Sequence, residues 1–209
     1  LTVTSPGLTY AGHPGSGVGN AVTMTTSGED ANRPFSSAIT TGAAYMSFMV
    51  NISAIQTGDY FIGMFQTTSI FPLRVYAKTD GAGGFLFGVS KGSSTVTYET
   101  TSRTLGTTYF VVVKYTYNTG TTTDDVVDLW VNPALGGTET TATISGVTGV
   151  ATDATTIGAV YLRQGSATAA STQQIDAILA GATWASVTAG ASVPVPGLTL
   201  GIVNAFGNI

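Results

Sequence analysis

Cysteine is absent from the 209-residue chain, which excludes disulfide bonds, thiolate metal sites and cysteine nucleophiles. No apolar run reaches the roughly 18 residues that a membrane-spanning helix needs, so we expect no membrane insertion. Charged side chains make up only 9% of the residues, against roughly 25% in an average soluble protein. With 7 Lys and Arg scattered along the chain and a net charge of −4, the composition excludes nucleic acid as a partner.

The side chains of hydrolytic catalysis are equally scarce. His13 is the single histidine, and no carboxylate lies near it in sequence to complete a Ser-His-Asp site. Glu29, Glu99 and Glu139 stand far apart, whereas retaining glycoside hydrolysis needs two carboxyl groups about 5 Å apart. We therefore predict that the chain is not an enzyme, with a divergent glycoside hydrolase as a remote alternative.

Short runs of β-branched and aromatic residues are what the chain does contain, separated by clusters of Gly, Asn, Asp and Ser. This pattern is typical of many short strands, and the length suffices for one sizeable core. In segments 109–117 and 126–131, alternate residues share a face, so one face of each strand should pack on the core. The faces that carry Lys114 and Asp128 should be the wetter ones, which leaves the opposite faces for the core. We predict an all-β sandwich with strands at 21–26, 44–52, 60–65, 73–78, 85–89, 96–100, 108–117, 126–132, 156–163 and 174–180.

Several motifs follow one another between about residues 8 and 188, at 28–35, 45–51, 58–61, 85–92, 105–131, 161–165 and 175–184. Their ordered set resembles the LamG-like members of the concanavalin A-like lectin/glucanase superfamily. More narrowly, it resembles the cysteine-free modules of large secreted bacterial surface proteins. The resemblance implies a two-sheet antiparallel jelly roll. It also implies a secreted, extracellular location at the cell surface, with neighbouring domains or subunits as partners.

The C-terminal segment differs from the rest. Alternating prolines at 194 and 196 cannot continue a central strand. We predict a sandwich over residues 1–190, followed by a linker and strand-like tail over 191–209 that resembles the start of an Ig-like domain. Apolar tail side chains cost roughly 25 cal/mol per Å² to leave in water, so we expect the tail to mediate assembly. These side chains are Leu198, Leu200, Ile202, Val203 and Phe206.

The leading functional hypothesis is a non-catalytic structural or adhesive module of a secreted bacterial cell-surface protein. The alternative is a carbohydrate-binding module with glycans as partners. Its candidate site joins Trp130 and Asp128, which share one face of a predicted strand, with Lys114 across a predicted hairpin. In this site an exposed ring would stack on a pyranose beside polar hydrogen-bonding groups.

No cofactor is certain from the residues, but the superfamily resemblance implies a structural calcium ion near the first and last strands. The candidate ligands are Glu29, Asp30 and Asp176. Calcium prefers such carboxylate oxygens together with backbone carbonyls. The competing hypothesis pairs these carboxylates with Arg33 or Arg163. A second calcium option uses Asp124 and Asp125.

Overall fold

The runs of alternating residues become strands. In the computed structural model, which describes residues 1–67 and 70–189, the described chain forms thirteen strands and one short helix. The strands are β1 (Thr2–Thr4), β2 (Ala21–Met24), β3 (Ala31–Ile39), β4 (Ala43–Ala54), β5 (Asp59–Phe65), β6 (Leu73–Thr79), β7 (Phe85–Lys91), β8 (Thr97–Tyr98), β9 (Thr108–Thr116), β10 (Val126–Val131), β11 (Ile144–Val147), β12 (Ile157–Leu162) and β13 (Thr172–Gly181). The helix is α1 (Trp184–Thr188).

The strands pair into two antiparallel sheets. The seven-stranded sheet has the order β1-β2-β13-β4-β9-β10-β11, and the six-stranded sheet has the order β3-β12-β5-β6-β7-β8. Neighbours distant in sequence, such as β13 beside β4 and β12 beside β3, make this a jelly-roll sandwich rather than a meander. The predicted fold class is confirmed.

The sequence analysis did not predict β1, β3, β11 or α1, because their residues show no clear periodic pattern. Strand β3 is mostly exposed and contains Pro34. An edge strand tolerates a proline, and β3 lies at the edge of its sheet. Helix α1 has only 5 residues, with Thr183 as its N-cap accepting a hydrogen bond from the Ser186 amide. So short a helix shows no periodicity that sequence analysis could detect.

The main core lies between the two sheets. Strand β9 directs Tyr109, Val111, Val113 and Tyr115 into it, as the alternation predicted. Leu129 of β10 lies in the same cluster. The predicted core faces of β9 and β10 are therefore confirmed.

A second apolar layer covers the outer face of the seven-stranded sheet. Phe110, Val112 and Trp130 point outward from β9 and β10, and Leu8 and Trp184 pack on them from the N-terminal loop and α1. The expectation of a wet outer face for β9 and β10 is wrong, because these connecting segments fold back over the sheet. The outer face of the six-stranded sheet carries a much smaller apolar cluster and is the more accessible of the two.

The predicted linker and assembly tail, with Leu198, Leu200, Ile202, Val203 and Phe206, lie outside the described residues. The division at residue 190 and assembly through the tail therefore stay predictions. Among the described residues, no helix has the length and apolar character needed to cross a membrane.

Candidate functional site

The predicted sugar-binding residues lie together on β9 and β10. Lys114 and Asp128 are paired in register, and the Lys114 Nζ is 3.7 Å from Asp128 Oδ2. Trp130, however, is only 3% exposed. Its ring packs against Trp184, with ring centroids 5.1 Å apart. A ring covered in this way offers no face on which a pyranose could stack.

Sequence analysis missed the residues that complete this cluster. Lys114 Nζ lies 2.7 Å from Glu139 Oε1, and the Tyr45 hydroxyl donates to Glu139 Oε2 at 2.6 Å. Burial, reinforced by the Glu139 carboxylate, raises the pKa of Tyr45. The Trp130 indole N–H donates to the Thr140 carbonyl at 2.8 Å. These contacts hold the β10–β11 connection against the sheet, so sugar binding here stays a prediction that the geometry does not favour.

The predicted calcium ligands are not brought together. Asp176 is buried and accepts hydrogen bonds from the amides of Leu8 at 2.8 Å and Ala177 at 2.7 Å. Burial raises its pKa, because the charged form is desolvated. Asp30 is exposed and accepts from the Gln164 amide at 2.9 Å. In the described ranges, only one group of three acidic side chains could share an ion, and it contains none of the predicted ligands.

The prediction for Glu29, Asp30 and Asp176 is therefore corrected. Glu29 is exposed, and its backbone carbonyl accepts a hydrogen bond from Gln164 Nε2 at 3.1 Å. The competing ion-pair hypothesis also chose the wrong partner, because Arg163 pairs with Asp59 at 2.8 Å. Backbone amides take the place of the expected cations at Asp30 and Asp176.

Tyrosine rings cover the outer face of the six-stranded sheet. Tyr60 of β5 is in register with Tyr76 of β6, with ring centroids 5.6 Å apart. Tyr98 of β8 extends the row at 6.5 Å from Tyr76, and Tyr161 of β12 lies 6.2 Å from Tyr60. We call these four residues the tyrosine face. Tyr60, Tyr76 and Tyr98 are half-buried, so each presents part of its ring to solvent.

Two glycines leave room for two of these rings to lie close to the sheet. Gly63 is in register with Tyr161, and a Cβ atom at Gly63 would lie 2.6 Å from the tyrosine hydroxyl. Gly88 is in register with Tyr98, and a Cβ atom there would lie 2.6 Å from the Tyr98 ring. Each ring therefore leans over a strand position that has no side chain.

Three of the chain's few cations lie among these rings. The Arg163 guanidinium is 4.0 Å from the Tyr60 ring centroid and pairs with Asp59 at 2.8 Å. The Arg74 guanidinium is also near this ring, at 4.9 Å from its centroid. Lys78 Nζ is 4.0 Å from the Tyr98 centroid. All three distances are within the range of cation–π attraction.

Arg74 and Lys78 differ from Arg163 in having no acidic partner. Neither forms an ion pair within the described part of the chain. The Arg74 Nε atom is buried without an acceptor, and its guanidinium lies 5.7 Å from the Phe71 ring centroid. A buried donor without an acceptor is costly in a folded protein. The tyrosine face thus carries two positive charges available to an anion.

A cleft of about 160 Å³ opens beside these groups. It is lined by Asp30, Ala31, Asn32, Tyr60, Phe65, Phe71, Tyr161 and Arg163. Burial raises the pKa of Tyr161 well above its ordinary value, and burial also raises that of Tyr98. Both phenols therefore stay neutral near pH 7, where they can donate hydrogen bonds.

The sequence analysis placed Tyr60, Arg74 and Tyr76 in predicted strands and assigned no site to them. One signal was available: Arg74, Tyr76 and Lys78 alternate with Val75 and Ala77 along β6, so the polar and aromatic residues share the face opposite the core. The neighbours from β5 and β12 could not be placed beside them, because strand order is not visible in the sequence.

Solved structures similar to this sandwich include an alginate lyase, a galectin and a pentraxin. The alginate lyase Aly36B, solved in complex with an alginate tetrasaccharide, is 18% identical; the match covers 77% of this chain and 79% of the lyase, with a TM-score of 0.54. A tetrameric galectin from the ball sponge Cinachyrella sp. is 11% identical over 73% of this chain and 99% of its own, with a TM-score of 0.46. A SAP-like pentraxin from Limulus polyphemus is 10% identical over 87% of this chain and 75% of its own, with a TM-score of 0.45.

The chain matches no family model and no curated protein. The two-sheet jelly-roll fold is shown, and the LamG-like assignment stays a prediction. The prediction that the chain is not an enzyme is corrected: an alginate lyase has a similar sandwich, so the missing hydrolytic residues do not exclude catalysis on this fold. The prediction rested on the absence of hydrolytic residues, and a lyase cleaves without a hydrolytic carboxylate pair. At this level of identity the likeness shows the fold alone.

Proposed function

We propose that the tyrosine face binds an anionic polysaccharide whose sugars carry carboxylates, such as a polyuronate. The observation behind the proposal is that Arg74 and Lys78 lie among the half-exposed rings of Tyr60, Tyr76 and Tyr98, and that neither has an acidic partner among the described residues. A chain with a net charge of −4 concentrates two unneutralised cations at this one place.

The two kinds of group recognise different parts of such a ligand. Tyrosine rings offer apolar faces to the C–H faces of pyranoses and hydroxyl groups to their oxygens. A planar guanidinium can bind a carboxylate through two parallel hydrogen bonds. The distances between rings, 5.6 Å for Tyr60–Tyr76 and 6.5 Å for Tyr76–Tyr98, let one sugar contact more than one ring. Successive sugars of a chain could lie across β12, β5, β6 and β8.

Affinity gel electrophoresis against a panel of polysaccharides tests the proposal. We expect retardation by alginate and polygalacturonate, weaker retardation at high salt, and none by neutral glucans. Arg74→Met retains the aliphatic stem but removes a charged donor, whose hydrogen bond is worth about 1.5–3 kcal/mol, so affinity should fall roughly 10- to 100-fold.

Lys114→Met is the matched control, because it removes a cation from the opposite sheet, where Lys114 is paired with Glu139. This variant should bind like the unmodified chain. Equal loss in both variants, or binding that ignores the charge of the polymer, would rule out recognition by Arg74.

A lyase reaction at the same cleft is a second candidate. The Tyr60 ring has two guanidinium groups near it, at 4.0 Å for Arg163 and 4.9 Å for Arg74, and such cations stabilise the carboxylate of a bound uronate. In β-elimination the C5 proton is removed, the C4–O4 bond breaks, a C4=C5 double bond forms and the leaving oxygen gains a proton. We assign both transfers to Tyr60: its phenolate takes the C5 proton, and the resulting phenol gives that proton to the leaving O4. Ultraviolet absorbance of the unsaturated product should rise with the unmodified chain and stay flat with Tyr60→Phe; a flat trace for both removes this candidate.

The structural or adhesive role, the secreted cell-surface location and assembly through the tail remain proposals that a polysaccharide-binding face would suit. Deleting residues 192–209 and measuring the mass in solution tests the assembly hypothesis. We expect the intact chain to form larger species than the shortened one. Monomers in both cases would exclude assembly through the tail.

A further inference from the structure

Three aspartates from two connecting segments meet at one end of the sandwich. Asp124 and Asp125 precede β10, and Asp153 precedes β12. Each offers a carboxylate oxygen, and these oxygens lie within 4.8 Å of one another. Calcium–oxygen distances are about 2.3–2.6 Å, so a single ion could reach all three.

Two oxygens in this group lack partners. Asp125 is 1% exposed. Its Oδ1 accepts from the Asn118 amide at 2.6 Å, and the Tyr115 hydroxyl also lies within hydrogen-bonding range of the carboxylate. Among the described residues, its buried Oδ2 accepts no hydrogen bond of ordinary geometry. Asp124 Oδ2 accepts from the Gly120 amide at 2.9 Å, and its Oδ1 is also buried without a donor. A buried carboxylate oxygen without a partner is costly, and a bound ion would satisfy both atoms.

The local charge is also unbalanced. Lys91, 1% exposed, contacts Asp153 Oδ1 in an ion pair and is the cation that the described residues place at the group. Three carboxylates and one ammonium leave two negative charges. Tyr115, whose hydroxyl accepts from the Ala154 amide at 2.8 Å, adds no charge near pH 7, because burial raises its pKa. One divalent cation would neutralise the group.

Asp125 and Asp153 line a cleft of about 350 Å³, whose walls include the exposed residues Thr121 and Thr122. An ion could therefore enter and retain water ligands in the cleft. Oxygen donors on irregular connecting segments suit calcium better than magnesium, which demands near-ideal octahedral geometry.

We propose that Asp124, Asp125 and Asp153 bind a calcium ion that fastens the β9–β10 connection to the segment before β12. The two segments are already joined through Asp153, which accepts from the Asp124 amide at 3.0 Å and the Asp125 amide at 3.1 Å. The ion adds ligands from both segments to these hydrogen bonds. This site lies apart from the tyrosine face and does not depend on polysaccharide binding.

Calcium titration of the full chain, after chelation of divalent ions, tests the proposal by calorimetry. We expect saturable binding with a dissociation constant on the order of 10⁻⁴ to 10⁻³ M, and weaker binding of magnesium. The thermal midpoint should rise by roughly 5–10 °C at about a hundredfold excess over the dissociation constant. No heat and no thermal shift would overturn the proposal.

Two variants separate a built site from diffuse attraction. Asp125→Asn keeps an acceptor oxygen for the Asn118 amide, so the fold should persist while calcium affinity falls at least tenfold. Asp80→Asn is the matched control: Asp80 also accepts from loop amides, at 2.7 Å from Ala82 and 2.9 Å from Gly84, but lies outside the group. Undiminished binding by Asp125→Asn, or equal loss in Asp80→Asn, overturns the assignment.

A third variant tests whether the Lys91 ammonium group already takes the place of a calcium ion. Lys91→Met removes the competing ammonium and should strengthen calcium binding several-fold. If this variant binds calcium and the unmodified chain does not, the lysine is sufficient and the proposal fails for the natural sequence.

Discussion

Replacing Trp184 with alanine should strongly destabilise the protein, because α1 is one of the elements that close the outer face of the seven-stranded sheet. Trp184 is 6% exposed and packs against Trp130 and Tyr45, with ring centroids 5.1 Å and 6.4 Å away. Burying the roughly 150–250 Å² of a tryptophan side chain at about 25 cal/mol per Å² is worth about 4–6 kcal/mol. Measured truncations of this kind cost about 3–5 kcal/mol, and we expect a loss in that range.

Urea unfolding followed by far-ultraviolet circular dichroism gives the free energy of unfolding, provided that the slope with urea is unchanged. Trp184→Phe is the informative companion, because the Trp184 indole N–H is buried without an acceptor. Phenylalanine keeps a packed ring and removes that unpaired donor, so its cost should stay below about 1.5 kcal/mol. A loss under about 1 kcal/mol for Trp184→Ala would refute the packed outer layer and, with it, the reason for placing function on the other sheet.

Two further predictions concern stability. Gly63→Ala should cost about 3 kcal/mol or more in urea unfolding, since its Cβ would lie closest to the Leu73 backbone carbonyl and 2.6 Å from the Tyr161 hydroxyl. Gly158→Ala, with no neighbour nearer than 3.9 Å, should change little, and equal costs would contradict the close approach of β6 and Tyr161 to Gly63. Burial lowers the pKa of His13, so the unfolded chain binds a proton more readily than the folded chain. The neutral histidine therefore supports folding above about pH 6.5, and this contribution to stability is lost as the pH falls below that value. The Gly15 amide donates a hydrogen bond to His13 Nδ1 at 3.0 Å, and His13→Asn keeps an acceptor for it. Between about pH 7 and 5, the free energy of unfolding should fall more steeply for the unmodified chain than for this variant. Parallel curves of unfolding free energy against pH would refute the assignment.

The sandwich itself was predictable, because alternation along β9 and β10 needs no knowledge of partners. Even the register of Lys114 with Asp128 followed from the expected hairpin. Strand β3 was not predictable, since its exposure at a sheet edge removes the periodic signal. The burial of Trp130 was missed for another reason: whether the second face of a strand meets solvent or a returning connection depends on tertiary structure.

The candidate sites were harder to predict for the same reason. Arg163 and Arg74 are 89 positions apart in the sequence, and only the order β12-β5-β6 brings both to the Tyr60 ring. Likewise, Asp124 and Asp125 were candidate calcium ligands because they are adjacent in sequence, but Asp153 joins them from a different connecting segment. Residue types indicated what chemistry was available, whereas strand order decided which groups met.

Polysaccharide binding at the open tyrosine face can be located directly by NMR. The isotopically labelled chain is titrated with a short uronate oligosaccharide, and its backbone amide resonances are followed. We predict that the saturable shifts concentrate on β5, β6, β8 and β12, around Tyr60, Arg74 and Tyr76. Shifts centred on the Lys114–Glu139 cluster of the opposite sheet, or no shifts at saturating oligosaccharide, would contradict it.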